Sequence, residues 1–270
     1  MNSDNHPVGI FDSGVGGLSV LRQIRIDLPG ETLLYVADSG YAPYGDKPAD
    51  FIAQRAAAIT GFLLDQGAKA VVVACNTATA AAIAGLRRRF AIPIIGIEPA
   101  VKPAVAITRS GVVGILATGQ TVDSARFADL LRRHSQHVRV LAQPCPGLAD
   151  CVEQGELNGQ RPLALLNRYL QPLLDQKIDT LVLGCTHYPF LKPLIKKIIG
   201  QEVVIIDPSA AVSRQLYRIL EERHLLTDCD GPGDERYFTS GCVEHTAPVI
   251  DRLLGRPVTL ESLPLTSSPR

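Results

Sequence analysis

The chain has 270 residues, of which 46% are hydrophobic and 20% charged, so a disordered chain is excluded and a sizeable core is expected. Its 27 basic residues balance its 27 acidic residues, and this neutral formal charge gives no indication of a nucleic-acid or anionic-membrane partner.

No apolar run reaches the ~18 residues of a membrane span, and the first residues, MNSDNHP, lack the pattern of a signal peptide. We therefore expect a cytoplasmic protein without a membrane anchor. The six cysteines form no CxxC pair and lack zinc-ligand spacing, so we expect free thiols and no metal site.

Short apolar runs alternate with helical patterns along the whole chain. The predicted strands span residues 8–11, 33–36, 70–74, 94–97, 112–116, 138–142, 180–184 and 203–206. The predicted helices span residues 17–27, 49–66, 77–90, 121–134 and 162–176. The strands are near-continuous Val/Ile/Leu runs, which is typical of strands covered on both faces. The alternation predicts an α/β fold with parallel sheets.

Small polar residues follow most of these strands. In parallel sheets, ligands bind where the carboxyl ends of the strands turn into helices. The polar segments are Asp12-Ser13-Gly14, Asp38-Ser39-Gly40, Cys75-Asn76-Thr77, Thr118-Gly119-Gln120-Thr121, Cys185-Thr186-His187 and Asp207-Pro208-Ser209.

The loop DSGVGG, residues 12–17, allows three interpretations. A nucleotide cradle is disfavoured, because the loop is not GxGxxG and lacks the lysine of a P-loop. A helix cap by Asp12 or Ser13 with a glycine turn is the simplest. An amide-lined pocket for a small zwitterion is the third, and the loop alone does not decide among them.

Two cysteines occupy matched contexts. VVVACNTATAAAI and LVLGCTHYPFLKPLI each contain an apolar strand, a small residue, a cysteine and then hydrogen-bonding side chains that open a helix. Cys75 and Cys185 are 110 residues apart, which indicates a repeat at half-chain scale. A single free cysteine is often only a small buried hydrophobe. The matched pair instead predicts two thiols on opposite sides of one ligand.

Two facing thiols suit proton transfer. A thiol at a helix N-terminus is expected to have a pKa below its usual value of about 8.5, because the dipole and free amides favour the thiolate. A thiolate can act as a base and a thiol as an acid. One sulfur on each side of a carbon could remove a proton from one face and return one to the other, which inverts a stereocentre.

Other cysteine chemistry fits less well. A hydrolase needs one nucleophile with a histidine and an orienting group, but His187 is close in sequence to Cys185 only. A pyridoxal-dependent enzyme needs a Schiff-base lysine, whereas Lys69, Lys102 and Lys177 flank strands and are expected at the surface. We therefore expect no cofactor.

The motifs GIFDSGVGGLSV, YAPYG, ACNTATA, GVVGILAT and LGCTHYPFL resemble those of the glutamate racemases in the aspartate/glutamate racemase superfamily. The resemblance covers about residues 8–254. It implies two similar parallel-sheet α/β domains related by a pseudo-twofold axis, with the active site in the cleft between them. The implied first domain comprises residues 1–98 and 209–270 and the second residues 99–208, with the tail 261–270 expected to be disordered.

The resemblance also implies a cofactor-independent racemase that interconverts L- and D-glutamate and supplies D-glutamate for peptidoglycan. The implied acid/base residues are Cys75 and Cys185, assisted by Asp12 and His187 respectively. The implied substrate-binding residues are Asp12, Ser13, Asp38, Tyr44, Gly45, Asn76, Thr77, Thr118, Thr121, Glu153, Thr186 and His187. Members of the family are commonly dimers, so a homodimer is compatible with the resemblance.

Two other functions stay open. The chain could racemise aspartate or another small acidic amino acid, because the sequence does not show the size of the pocket. It could also be a two-domain binding protein whose cysteines are structural.

Overall fold

The computed structural model describes residues 4–135, 137–229 and 231–264. The strands of this part of the chain are β1 (Val8–Asp12), β2 (Leu33–Ala37), β3 (Ala70–Val73), β4 (Ile94–Gly96), β5 (Val112–Ala117), β6 (Arg139–Pro144), β7 (Thr180–Leu183), β8 (Val204–Ile206), β9 (Glu235–Thr239) and β10 (Leu260–Ser262).

The helices are α1 (Leu18–Asp27), α2 (Ala49–Asp65), α3 (Asn76–Arg89), α4 (Val101–Ile107), α5 (Gly119–Val122), α6 (Ala125–His134), α7 (Leu148–Glu153), α8 (Gln160–Asp175), α9 (Lys192–Ile199), α10 (Ser209–Glu222) and α11 (Val243–Leu254). Short 3-10 turns occupy Ser39–Tyr41, Tyr44–Asp46 and Tyr188–Leu191.

The strands form two sheets, and every strand pair among the described residues is parallel. The larger sheet has the order β10-β9-β2-β1-β3-β4 and the smaller sheet the order β6-β5-β7-β8. The segment β2-β1-β3-β4 therefore repeats in the smaller sheet, with β5 in the place of β1 and β7 in the place of β3. This confirms the predicted fold of two similar parallel-sheet α/β domains.

Both faces of the central strands are covered. Neighbouring residues of β1 show this, because Ile10 belongs to one buried apolar cluster and Phe11 to another. Side chains alternate between the two faces of a strand, so helices must cover both sides. The cluster with Ile10 also contains Leu181 of β7, so one core is continuous between the two domains.

The end of the chain returns to the larger sheet. Strand β9 pairs with β2, and β10 pairs with β9. The expected disorder of residues 261–270 is wrong at its start, because Leu260–Ser262 form β10; residues 265–270 lie outside the described residues. The domain boundaries at 98/99 and 208/209 stay a prediction.

Two further expectations are corrected. The helix predicted at 121–134 is interrupted, because Ser124 lies outside the helix and caps α6 by accepting a hydrogen bond from the Phe127 amide. Lys69, expected at the surface, is buried with its Nζ 2.7 Å from Oε2 of Glu31. A buried ammonium requires such a partner. Among the described residues, no helix has the length and apolar character of a membrane span.

Candidate active site

Cys75 lies two residues beyond the end of β3, where the chain enters α3. Its side chain caps this helix, since the amide of Ala78 donates to Sγ at 3.4 Å. The hydroxyl of Ser13, in the loop after β1, lies 3.7 Å from the same sulfur. Cys75 is 5% exposed, so its thiol is almost completely removed from water.

Cys185 lies after β7, which corresponds to β3 in the repeated strand order. Its Sγ is 3.5 Å from Nδ1 of His187. Gly184 precedes it, and a Cβ at this position would lie 2.9 Å from the carbonyl oxygen of Leu116. Close packing against this carbonyl therefore explains why a small residue precedes Cys185.

Both thiols line the same cavity, which lies between the two domains and has a volume of about 10 Å³. That is room for about one water molecule. The lining residues are Ser13, Pro43, Tyr44, Gly45, Cys75, Asn76, Thr77, Thr118, Ala149, Cys185, Thr186 and His187. A second cavity of about 140 Å³ adjoins it and shares Pro43, Gly45, Thr118 and Ala149 with it.

His187 connects Cys185 to a carboxylate. Its Nε2 lies 2.6 Å from Oε1 of Glu153, at the end of α7, while its Nδ1 faces Cys185. Burial acts to lower the pKa of His187, but the negative charges of Cys185 and Glu153 raise it well above its usual value. An imidazolium has a proton on each ring nitrogen and can donate to both partners at once. The charges therefore favour the imidazolium form of His187, which can donate to both Cys185 and Glu153.

The surroundings of Cys75 favour its neutral thiol. Burial and the nearby charge of Asp12 raise the pKa of its thiol to about 12, although the Ala78 amide acts to lower it. The expectation that a helix N-terminus lowers the pKa of this thiol is therefore wrong, because desolvation of the thiolate outweighs the helix end. Around neutral pH, Cys75 is a thiol.

Asp12 ends β1 and is fully buried. Its Oδ1 accepts from the Gly14 amide at 2.9 Å, and its Oδ2 accepts from the Thr186 hydroxyl at 2.9 Å. Burial raises the pKa of this carboxyl, while the His187 charge and the two donors oppose the rise. Asp12 thus contacts a residue of the opposite domain and lies behind the cavity lining.

Hydroxyl groups meet across the cleft. Oγ1 of Thr77 lies 2.9 Å from that of Thr118 and 3.2 Å from that of Thr121. Next to them, both side-chain polar atoms of Asn76 are buried without a hydrogen-bond partner among the described residues. Because a buried amide without a partner is costly, Asn76 is suited to bind a ligand.

Like Asp12, the other two predicted substrate-binding carboxylates do not line the cavity. Asp38 binds Arg55, with Oδ1 2.6 Å from Nη2 and Oδ2 2.9 Å from Nε, and it also accepts from the Tyr44 hydroxyl. Glu153 accepts from the Val15 amide at 2.7 Å in addition to contacting His187. Both carboxylates therefore hold other site residues in place.

Sequence reasoning missed Arg55 and Tyr35. Arg55 is in the middle of α2 and pairs with Asp38 only because that helix packs on the loop after β2. Tyr35 is a fully buried residue of β2 whose hydroxyl donates to the Gly14 carbonyl oxygen at 2.6 Å. The one available signal was a hydroxyl group in a strand of otherwise apolar residues.

The sequence of this chain matches a known protein family over most of its length. The family model Asp/Glu/Hydantoin racemase matches residues 19–216. A glutamate racemase of Ectopseudomonas mendocina is 56% identical over 256 residues, which cover 94% of this chain and 97% of that protein.

Solved structures agree with this match. Glutamate racemase from Francisella tularensis, in complex with D-glutamate, is 33% identical with a TM-score of 0.85, covering 98% of this chain and 100% of that one. Escherichia coli glutamate racemase, in complex with L-glutamate and the activator UDP-MurNAc-ala, is 34% identical with a TM-score of 0.85, covering 96% and 98%. These matches confirm the resemblance noted in the motifs. The chain therefore belongs to the Asp/Glu/Hydantoin racemase family of isomerases.

Proposed function

We propose that this enzyme interconverts L- and D-glutamate without a cofactor, by proton transfer between Cα and the two thiols. The observation that carries the proposal is that Cys75 and Cys185 line one cavity from opposite domains. A carbon bound between them would present one face to each sulfur.

The two sulfurs would act in different protonation states. With the Cys185–His187 pair as thiolate and imidazolium, Cys185 is the base that removes the Cα proton from one face. Cys75, whose pKa is about 12, is the acid that gives its proton to the other face. The Cα–H bond breaks, a new Cα–H bond forms on the opposite side, and no electrons are gained or lost. The reverse reaction exchanges the two roles.

Polar groups of the cavity would hold the substrate. Asn76 offers both an amide donor and an acceptor, and Thr77 and Thr118 offer hydroxyls from opposite domains. A carboxylate at these hydroxyls would replace their mutual hydrogen bonds by stronger ones to a charge. Because the cavity holds about one water, the substrate would enter through the adjoining 140 Å³ cavity or by widening of the cleft.

The choice of glutamate rests on the relatives. The Francisella tularensis and Escherichia coli enzymes are named as complexes with D- and L-glutamate. Aspartate is the alternative substrate, since one methylene in a pocket alters binding by only about 1–3 kcal/mol. Supply of D-glutamate to peptidoglycan, a cytoplasmic location and a homodimer belong to the same proposal.

An optical assay tests this function. The purified protein, without added cofactor, is incubated with D-glutamate and separately with D-aspartate. We expect loss of optical rotation with D-glutamate and little change with D-aspartate. Loss of rotation with aspartate alone would contradict glutamate as the substrate. Ligand binding without any turnover would favour a binding protein with structural cysteines.

A further inference from the structure

The peptide between Gly14 and Val15 is held from two opposite sides. Its carbonyl oxygen accepts from the Tyr35 hydroxyl at 2.6 Å, and its N–H donates to Oε1 of Glu153 at 2.7 Å. The C=O and N–H of a trans peptide point in opposite directions. By fixing the carbonyl, Tyr35 therefore also fixes the direction in which the Val15 N–H points.

The hydrogen bonds continue from this peptide to the thiol in the other domain. Oε1 of Glu153 accepts from the Val15 amide and also lies 2.6 Å from Nε2 of His187. Nδ1 of His187 then lies 3.5 Å from Sγ of Cys185. A buried residue of the larger sheet is thus joined to a thiol that follows the smaller sheet.

Close packing leaves this connection little freedom. A Cβ on Gly14 would lie 1.9 Å from Oε1 of Glu153. Glu153 therefore contacts the backbone of the loop directly, at a position where any larger residue would displace its carboxylate. The Tyr35 ring has 0% exposure, so its hydroxyl has no water to replace the Gly14 carbonyl as a partner.

We propose that Tyr35 is a positioning residue, which acts through the Gly14–Val15 peptide to hold Glu153 against His187 and thereby sets the geometry of Cys185. The inference rests on the proposed racemisation, because it assigns Cys185 a role in that reaction. The Tyr35 hydroxyl donates to the Gly14 carbonyl oxygen, and among the described residues Tyr35 is not part of the cavity lining.

A neighbouring tyrosine provides the matched control. Tyr237 of β9 pairs in register with Tyr35, and the two ring centroids are 6.3 Å apart. Tyr237 is 2% exposed, but its hydroxyl donates to Glu235 and not to the loop of the site. Removal of the Tyr35 hydroxyl leaves the Gly14 carbonyl without this donor, whereas Glu235 keeps its hydrogen bonds from Arg25 and Arg256 in Tyr237→Phe. Tyr237→Phe therefore controls for the loss of a buried tyrosine hydroxyl away from the site.

The test compares Tyr35→Phe and Tyr237→Phe with the unaltered protein in three measurements: kcat, KM and the titration of the His187 ring by NMR. For Tyr35→Phe we expect kcat to fall about tenfold while KM changes less than about threefold. Three acidic groups surround the His187 ring: Cys185, Glu153 and Asp12. In Tyr35→Phe the Glu153 carboxylate is held less firmly, so the His187 titration should move to lower pH. Tyr237→Phe should change neither.

A second variant keeps the inference testable if Tyr35→Phe folds poorly. Gly14→Ala keeps Tyr35 but displaces Glu153 from the same peptide, so it should move the His187 titration in the same direction. Unchanged kcat and unchanged His187 titration in a folded Tyr35→Phe protein would overturn the inference. So would equal changes in Tyr237→Phe. If the unaltered protein does not racemise glutamate, the proposed function fails, whereas the His187 titration still tests the role of Tyr35.

Discussion

Sγ of Cys185 lies 3.5 Å from Nδ1 of His187. Cys75, at the equivalent place in the other domain, has the hydroxyl of Ser13 at 3.7 Å as its side-chain partner. The two thiols thus share a strand-end position but differ in charge environment. This difference would let one start as a base and the other as an acid.

The first prediction concerns Gly16, where a Cβ would lie 2.3 Å from Nδ1 of His187. Gly16→Ala should displace the imidazole and lower kcat by about a hundredfold, because small displacements of catalytic groups are costly. The control is Gly61→Ala, in the interior of α2, where a Cβ meets nothing within 4 Å. This control should keep full activity and gain about 0.5–1 kcal/mol of stability. Equal activity of the two variants would contradict close packing of Gly16 against the His187 ring.

The second prediction concerns the protonation of Cys75. The charge of Asp12 helps to raise its pKa to about 12, so Asp12→Asn should lower that pKa. The rate of alkylation of the Cys75 peptide, followed by mass spectrometry against pH, should then rise at a lower pH than in the unaltered protein, because the thiolate reacts. Asp129→Asn, which removes a partly exposed carboxylate paired with Arg132 and Arg133, should leave the profile unchanged. No shift in Asp12→Asn would remove Asp12 as an electrostatic partner of Cys75.

The third prediction concerns stability. Asp38 is buried and binds Arg55, whose side chain is only 12% exposed. Arg55→Ala should lower the free energy of unfolding by about 3 kcal/mol, because it leaves a buried carboxylate without its partner. Arg133→Ala removes an arginine that is 68% exposed and should cost less than about 1 kcal/mol. Urea denaturation measures both, and equal losses would show that burial of the pair is unimportant.

The fourth prediction concerns the rate profile. Activity needs one thiolate and one thiol, so kcat/KM should pass through a maximum between two apparent pKa values that belong to the coupled groups. The acidic limb should report loss of a proton from the Cys185–His187 pair, and the alkaline limb the loss of a further proton. The absence of an acidic limb, with kcat/KM constant down to the pH at which the protein unfolds, would contradict paired acid and base groups.

The two thiols were predictable from the sequence because each follows an apolar strand directly, in a repeated local context. Cys75 and Cys185 need no distant contact to be recognised as equivalent. The α/β class with parallel sheets followed in the same way from alternating strands and helices, whereas the two-domain arrangement followed from the resemblance of the motifs to glutamate racemases.

Charge states and supporting contacts were not predictable, because they depend on tertiary packing. The helix start at Cys75 suggested a lowered pKa, but burial and Asp12 reverse its direction. Glu153 lies 34 residues before His187, and no local pattern indicates that they touch. The resemblance implied that Asp38 and Glu153 bind substrate, whereas their neighbours show that both carboxylates are already bound within the protein.

The two-thiol mechanism is tested most directly by Cys75→Ser and Cys185→Ser, assayed in deuterated water with each enantiomer of glutamate. We expect both variants to lose racemisation, and each to retain at most exchange or elimination at Cα with one enantiomer, opposite for the two. Cys229→Ser, which alters an exposed free thiol, should behave as the unaltered protein does. Racemisation at the unaltered rate in both Cys75→Ser and Cys185→Ser would contradict the mechanism.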